Sequence, residues 1–544
     1  LRIPTLVIIL LLAQVGWKGN QKIPVPPRAA EAMVDSMASE YYDAKLRFYP
    51  ALATLKGIPG YEDRLSTYSQ KSIFGMLARM RNLGRELGKL DEDSLSMAKW
   101  TEYKALLADM AAERFLLEEL ELWRSRPNLY VDACVEGIAA LYLLKDRLSG
   151  TDLSPRLRMI PDVVKHARRN LTRPSAVPCR VASVRLQALI DMLAGLSEMA
   201  PDGGMDAGLL EDTVDTLRGF AAFLDSLSLS AGPHFALSYD DFLILSDTRN
   251  MISDSPEDVR TYAGRVLEAA NKELDRLPGQ SPSAGAGSLP VEELEAGLIS
   301  AWDHIREEEL VGLPQGPSGS GPGIMFVEMP EFGRGLFGDM MYFELPAGRE
   351  PGYLTPLFVS PETAEPGLSA AGLISSEALP GRHLQAVTAK SGASPVRDLQ
   401  ADIFTVNGWS LYSQELMARS GFGGDGAVRD ALERKRFYAA GTIAAINVFM
   451  GEFSLEAAAD FMVKETGVSR AYADELALQY ALEPEHPISY IIGERQIRRI
   501  REEVSRILGD DFNLKAFHNS LLASGRLPLY LLRNNVVSES VGRR

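Results

Sequence analysis

The sequence predicts a mainly α-helical fold with a small β element around residues 324–360, on three observations. Apolar residues recur at spacings of three and four from Ala29 to about Leu277 and again from Leu373 to Arg533, the period that places side chains on one helix face. Chain breakers fall between these runs. Between Ile324 and Ser360 the pattern changes to short apolar stretches separated by Pro/Gly turns, the mark of strands.

Residues 1–19 carry Arg2 and an apolar run from Leu6 to Leu12, short for a membrane span and suited to a secretory signal. They are expected to be a signal peptide or an N-terminal anchor of an exported protein, in the periplasm or cell envelope. No Cys closely follows the run, so a lipid anchor is not expected. Ala13-Gln14-Val15-Gly16 fits a cleavage site poorly, which leaves removal of the segment open.

Residues 28–277 form the predicted N-terminal helical half, with stripes such as Met76, Leu77, Met80 and Leu83, or Leu106, Leu107, Met110, Leu117 and Leu120. Gly57-Ile58-Pro59-Gly60, Arg126-Pro127-Asn128, Pro174 to Pro178 and Pro201-Asp202-Gly203-Gly204 separate its antiparallel helices. Asp254-Ser255-Pro256-Glu257-Asp258 is a cap and first turn for a helix running to Leu277. Residues 278–372 hold a Gly/Ser/Ala-rich loop from Gly279 to Ser288, a helix from Leu289 to Glu309 and a flexible connector from Pro314 to Gly323. The strands follow at Met325-Phe326-Val327, Met341 to Leu345 and Leu357-Phe358-Val359. Residues 373–544 form a C-terminal helical half, and the parts are expected to fold as one integrated domain.

A hydrophobic share of 46% and a charged share of 24% allow a sizeable core. A net charge of −16 opposes nonspecific nucleic-acid binding and electrostatic docking on an anionic membrane. Cys134 and Cys179 lie in no CxxC pattern; buried free thiols and one disulfide both remain open. Glu118, Glu119 and Glu121, and Arg495, Arg498, Arg499 and Arg501 beside Glu494, Glu502 and Glu503, fit solvated helix faces.

Two segments carry the chemistry: Ser376-Glu377-Ala378-Leu379-Pro380-Gly381-Arg382-His383-Leu384-Gln385 and Asn407-Gly408-Trp409-Ser410-Leu411-Tyr412. Zinc hydrolases of the zincin type take two nitrogen ligands from one helix, a third ligand from a later helix and a Glu beside the metal-bound water. The chain has no HExxH, and its six histidines are far apart in sequence. Residues 376–385, 407–415, 445–462, 480–496 and 507–532, with the weaker Trp123 to Tyr130 segment, resemble the bacterial family called domain of unknown function 885. That resemblance implies an exported, large helical scaffold similar to zincin metallopeptidases.

Position by position, the family's metal-site pattern is depleted. Ser376 and Arg382 stand where the family has His, and Asn407 where it has an acidic residue, while Glu377, His383, Gly408, Trp409 and Tyr412 are kept. The family's later Asp and His fall on Ala445 and Phe449, and its Pro-Gly-Gln on Pro484-Glu485-His486, with Tyr490 and Gly493 kept. Backbone-shaping residues remain while most electron-pair donors are gone, and Arg382 brings a permanent positive charge. The expectation is a catalytically degenerate, peptidase-like scaffold without a metal cofactor. Its former cleft would bind a peptide or small molecule through Ser376, Arg382, His383, Asn407, Trp409, Tyr412, His486 and Tyr490, or the chain would serve as a scaffold.

Within that cleft Glu377 is the remnant general base, and Arg382 is expected to pair with it. The alternative is an active metallohydrolase with zinc held by Glu377, His383 and His486. His383, Trp409 and Tyr412 also suit plain core packing. A Ser376–His383 nucleophile pair lacks the accompanying elbow motif. Substrate, partner and oligomeric state are not set by the sequence.

Overall fold

Short polar side chains start the helices as their types predict. Ser255 caps helix Pro256–Leu274 by accepting the Asp258 amide at 3.1 Å, and Asp402 caps helix Ile403–Arg419 by accepting the Thr405 amide at 2.9 Å. These positions come from a computed structural model, which describes residues 26–144, 152–203, 206–230, 238–277, 287–314, 323–344, 354–389 and 394–542. The expected signal or anchor at 1–19 and most of the loop at 279–288 and the connector at 314–323 lie outside the described residues.

The fold is mainly α with a small sheet, as the periodicity predicts. Helices Ala176–Gly203 and Ala207–Ser230 pack together in the N-terminal half. In the C-terminal half helix Ile403–Arg419 lies along Glu485–Leu508, and Pro256–Leu274 along Gly424–Phe449. One apolar core includes residues from Ala30 to Val536, and a second gathers where Gly424–Phe449, Leu455–Thr466 and Arg470–Leu482 meet. Among the described residues no helix is long and apolar enough to cross a membrane.

The strands are β1 (Gly287–Ser288), β2 (Ile324–Glu328), β3 (Met340–Tyr342), β4 (Thr355–Val359) and β5 (Glu362–Thr363). β4 is central: β2 runs parallel to it, with Ile324 opposite Thr355, and β3 antiparallel, with Tyr342 opposite Leu357. β1 and β5 form a separate antiparallel pair. Just past β3, the Glu344 amide donates to the Leu55 carbonyl at 2.8 Å, tying the sheet to the N-terminal half.

Two features depart from the sequence reading. The chain makes π-helical turns at Phe115–Glu119 and Ile374–Ala378, which apolar spacing does not distinguish from α-helix. Arg495 is buried and pairs with Asp254 at 2.7 Å, and buried Glu494 bonds Lys435 at 2.7 Å and Arg498 at 2.6 Å. That part of the helix is packed, because its opposite charges are matched by other elements.

The close approach of Ile403–Arg419 to Glu485–Leu508 depends on two glycines. A Cβ on Gly408 would lie 2.4 Å from the Gly493 carbonyl carbon, and one on Gly493 2.0 Å from the Phe404 carbonyl oxygen. Gly408→Ala is therefore expected to lower stability to urea by about 3 kcal/mol, the upper end of overpacking costs. Gly75→Ala, in a helix with nothing within 4 Å of the added carbon, should raise it by up to about 1 kcal/mol. Cys134 and Cys179 are both free and buried. Thiol labelling without reductant should find neither reactive in the folded protein and both reactive in denaturant; a disulfide would leave both silent.

Candidate functional site

The 376–385 segment is bent out of a single helix. Ser376 and Glu377 sit in the π-turn, Leu379-Pro380 is a cis peptide, and Arg382 and His383 open the next helix, Arg382–Ala389. Gly381 is required at the bend, since a Cβ there would lie 2.0 Å from the Ser376 carbonyl oxygen.

The bend brings Glu377 and Arg382 together, with Arg382 Nε 3.1 Å from Glu377 Oε2. Arg434, fully buried in helix Gly424–Phe449, approaches the other carboxylate oxygen at 3.3 Å, and Ser410 Oγ donates to it at 3.0 Å. Arg434 also donates to Glu365 at 2.6 Å and to Gln414 at 3.0 Å. Tyr438 donates to Glu365 at 3.0 Å and stacks on Tyr490, ring centroids 3.6 Å apart. Arg382 closes the circuit by donating to the Tyr490 hydroxyl at 2.5 Å and to Asn407 Oδ1 at 2.6 Å. Asn407 Nδ2 in turn bonds Ser489 at 2.8 Å. The result is a ring of side chains from five segments, with Glu365 and Glu377 balanced by Arg382 and Arg434.

Electrostatics follow from this geometry. Burial pushes the Glu377 carboxyl up, but the Arg382 and Arg434 guanidiniums outweigh it and hold the group below its ordinary value. Burial lowers Arg382, and Glu377 more than restores it, so the net shift is upward.

Other expected site residues are placed differently. Ser376 is buried and donates to the Gly372 carbonyl of its own helix at 2.8 Å. Trp409 is buried and donates to the Pro380 carbonyl at 2.8 Å, fixing the bend. Buried Tyr412 bonds His518 Nε2 at 2.9 Å, while His518 Nδ1 lies 2.6 Å from the Leu310 carbonyl oxygen. Trp409 and Tyr412 therefore brace the core under the ring. Buried His383 meets the Tyr342 hydroxyl through Nδ1 at 3.0 Å.

His486 packs edge-on against Tyr490, ring centroids 5.6 Å apart, and its Nδ1 has no hydrogen-bond partner among the described residues. Burial holds its imidazole below the ordinary value, opposed by Glu483 and aided by Arg382. Among the described residues no three His, Cys, Asp or Glu side chains gather as a metal would need. Glu377, His383 and His486 thus do not converge on one point.

Sequence reasoning missed Arg434 and Glu365. Arg434 stands in Arg434-Lys435-Arg436, which looks like a solvated face, and Glu365 in a loop. It also missed the neighbouring cavity of about 500 Å³, whose wall includes Tyr342, Glu344, Arg249, Lys45, Lys56 and Asp402. Tyr342 joins the two places, facing the cavity and bonding His383.

Known proteins place the fold without placing an activity. A putative lipoprotein of unknown function from Shewanella oneidensis has a similar structure, with a TM-score of 0.70 at 18% identity, covering 92% of this chain and 99% of that one. A putative lipoprotein from Colwellia psychrerythraea matches with a TM-score of 0.67 at 14% identity, covering 94% and 99%. No curated protein sequence matches the chain. The family model described as bacterial protein of unknown function, domain of unknown function 885, matches residues 245–536, more than half of the sequence, and the chain belongs to that family.

Proposed function

We propose that this protein binds a peptide or another small ligand in the cavity beside the 376–385 segment, on a peptidase-like scaffold that has lost metal-assisted hydrolysis. The observation that carries this reading is the pair of guanidiniums on Glu377. A general base beside a metal-bound water needs a carboxylate able to take a proton. Here both oxygens of Glu377 already face cations, and its affinity for a proton is lowered. A guanidinium does not deprotonate, so Arg382 and Arg434 also repel any metal cation approaching that carboxylate. Ser376 turns its hydroxyl to its own helix, and Asn407 is spent on Arg382 and Ser489. The zincin-like geometry implied by the resemblance then survives as a frame, and the open space beside it is what remains to bind.

Export to the cell envelope is part of the same proposal. The apolar run from Leu6 to Leu12 supports it, as does the description of both structural relatives as putative lipoproteins.

Elemental analysis after incubation with zinc and desalting should find far less than one equivalent. Stoichiometric zinc that disappears in His383→Ala or His486→Ala would overturn the proposal and call for peptidase assays. The ring should act as structure: Arg434→Met leaves Glu365 and Glu377 without their shared buried partner and should cost about 3–5 kcal/mol in urea unfolding. Arg419→Met, which removes half-exposed pairs with Glu415 and Glu273, should cost no more than about 1 kcal/mol.

A further inference from the structure

The cavity beside the ring carries one cation and one anion that the protein does not pair internally. Its other charges are matched. Lys45 binds both oxygens of Asp109 at 2.8 Å and lies 3.8 Å from Glu113, which also accepts from Tyr49 at 2.5 Å. Lys56 and Arg526 share Glu344, at 2.9 Å and through two bonds of 2.5 and 2.8 Å.

Arg249 stands apart from these pairs. It lies in the last turn of helix Tyr239–Asn250, lines the cavity with an exposed side chain, and makes no hydrogen bond or ion pair with any described residue. Asp109, Glu113, Asp402 and Glu485 all act on it electrostatically, but none reaches it as a partner. Asp402 is the complementary case. It is buried, lines the same cavity, accepts only the Thr405 amide, and has no ion-pair partner among the described residues. Burial pushes its carboxyl up to about 7, against the opposing effects of the Thr405 amide and the Arg249 guanidinium.

A basic residue in the last turn of a helix commonly complements the helix dipole. That accounts for the position of Arg249 along its helix. It does not account for an unmatched guanidinium on the wall of a cavity that four carboxylates from other elements surround. The rest of the wall supplies apolar surface, from Leu52, Leu55, Leu116 and Leu399 and the rings of Tyr42 and Tyr49. About 500 Å³ lies within the range of sites that enclose small ligands. A bare metal cation would meet Arg249, and a ligand carrying only negative charge would meet Asp402. A molecule with one charge of each sign and an apolar body satisfies the whole wall.

We propose that the cavity binds a short zwitterionic peptide, its carboxylate against Arg249, its ammonium against Asp402 and its side chains on the leucine and tyrosine wall. This names the ligand class for the binding function proposed above and rests on it.

The test is calorimetric titration of the full chain with leucyl-tyrosine, leucyl-tyrosine amide and N-acetyl-leucyl-tyrosine. The free dipeptide should bind, and blocking either end should weaken binding by about tenfold or more, the worth of one charge-assisted pair. Arg249→Met should weaken the free dipeptide and abolish discrimination against the amide while keeping discrimination against the acetylated form. Asp402→Asn, which preserves a helix-capping side chain, should do the reverse. The blocked peptides interrogate the same contacts in the unmutated protein, so the result does not depend on either variant folding. Equal binding of all three forms would overturn the assignment and leave ligand binding in the cavity standing. Binding of none would overturn both.

Discussion

The site region depends on the burial of Glu377 between two guanidiniums. A lone carboxylate in that position would be strongly disfavoured, and a lone arginine equally so. Arg382 and Arg434 offset the penalty, and each is held by further bonds, one to Asn407 and Tyr490, the other to Gln414 and Glu365. The π-turn, the bend after it and helices Ile403–Arg419, Gly424–Phe449 and Glu485–Leu508 are therefore cross-linked through one closed circuit. Such a circuit contributes little net stability over an apolar core of equal volume, since desolvation offsets much of the attraction. Its effect is on geometry: each element can shift only by breaking a buried charge contact.

The glycines give the same segment its shape. Gly408 and Gly493 let two helices touch backbone to backbone, which places Asn407 on one and Tyr490 on the other within reach of Arg382. Gly381 and the Trp409 bond to the Pro380 carbonyl hold the bend that presents Arg382 to Glu377. Backbone geometry and side-chain chemistry are thus separable here. The first is set wherever a Cβ would collide with main chain, and the second is charge pairing.

This separation decides what could be read from the chain alone. The helix cap at Ser255 is local, so its sequence signal holds, and the short apolar stretches between Pro/Gly turns at 324–360 mark the sheet. Glu377 and Arg382 are close in sequence, which made their pairing legible. Arg434 is 57 residues from Glu377, and nothing local distinguishes a buried arginine from a solvated one in a run of basic residues. The same blindness made Arg495 look exposed, its partner Asp254 being 241 residues away. Trp409 and Tyr412 suited both a groove and a core, and only long-range packing on Pro380 and His518 selects the core. The cavity was illegible for a related reason, its wall being drawn from helices and loops between residues 42 and 402.

The ring and the cavity meet at the small sheet, and their charges differ in kind. Tyr342 on β3 bonds His383 beside the ring and faces the cavity, and just past it Glu344 binds Lys56 of the N-terminal half and Arg526 of the C-terminal half. The ring is neutral within itself, with Glu365 and Glu377 against Arg382 and Arg434, so it has no unmet charge to offer a ligand. Arg249 and Asp402 on the cavity wall make no ion pair with any described residue. Binding energy requires interactions that the empty protein does not already make. On the proposed binding role, selectivity for a charged ligand resides in the cavity, and the ring serves by keeping β3 and the wall behind it in place.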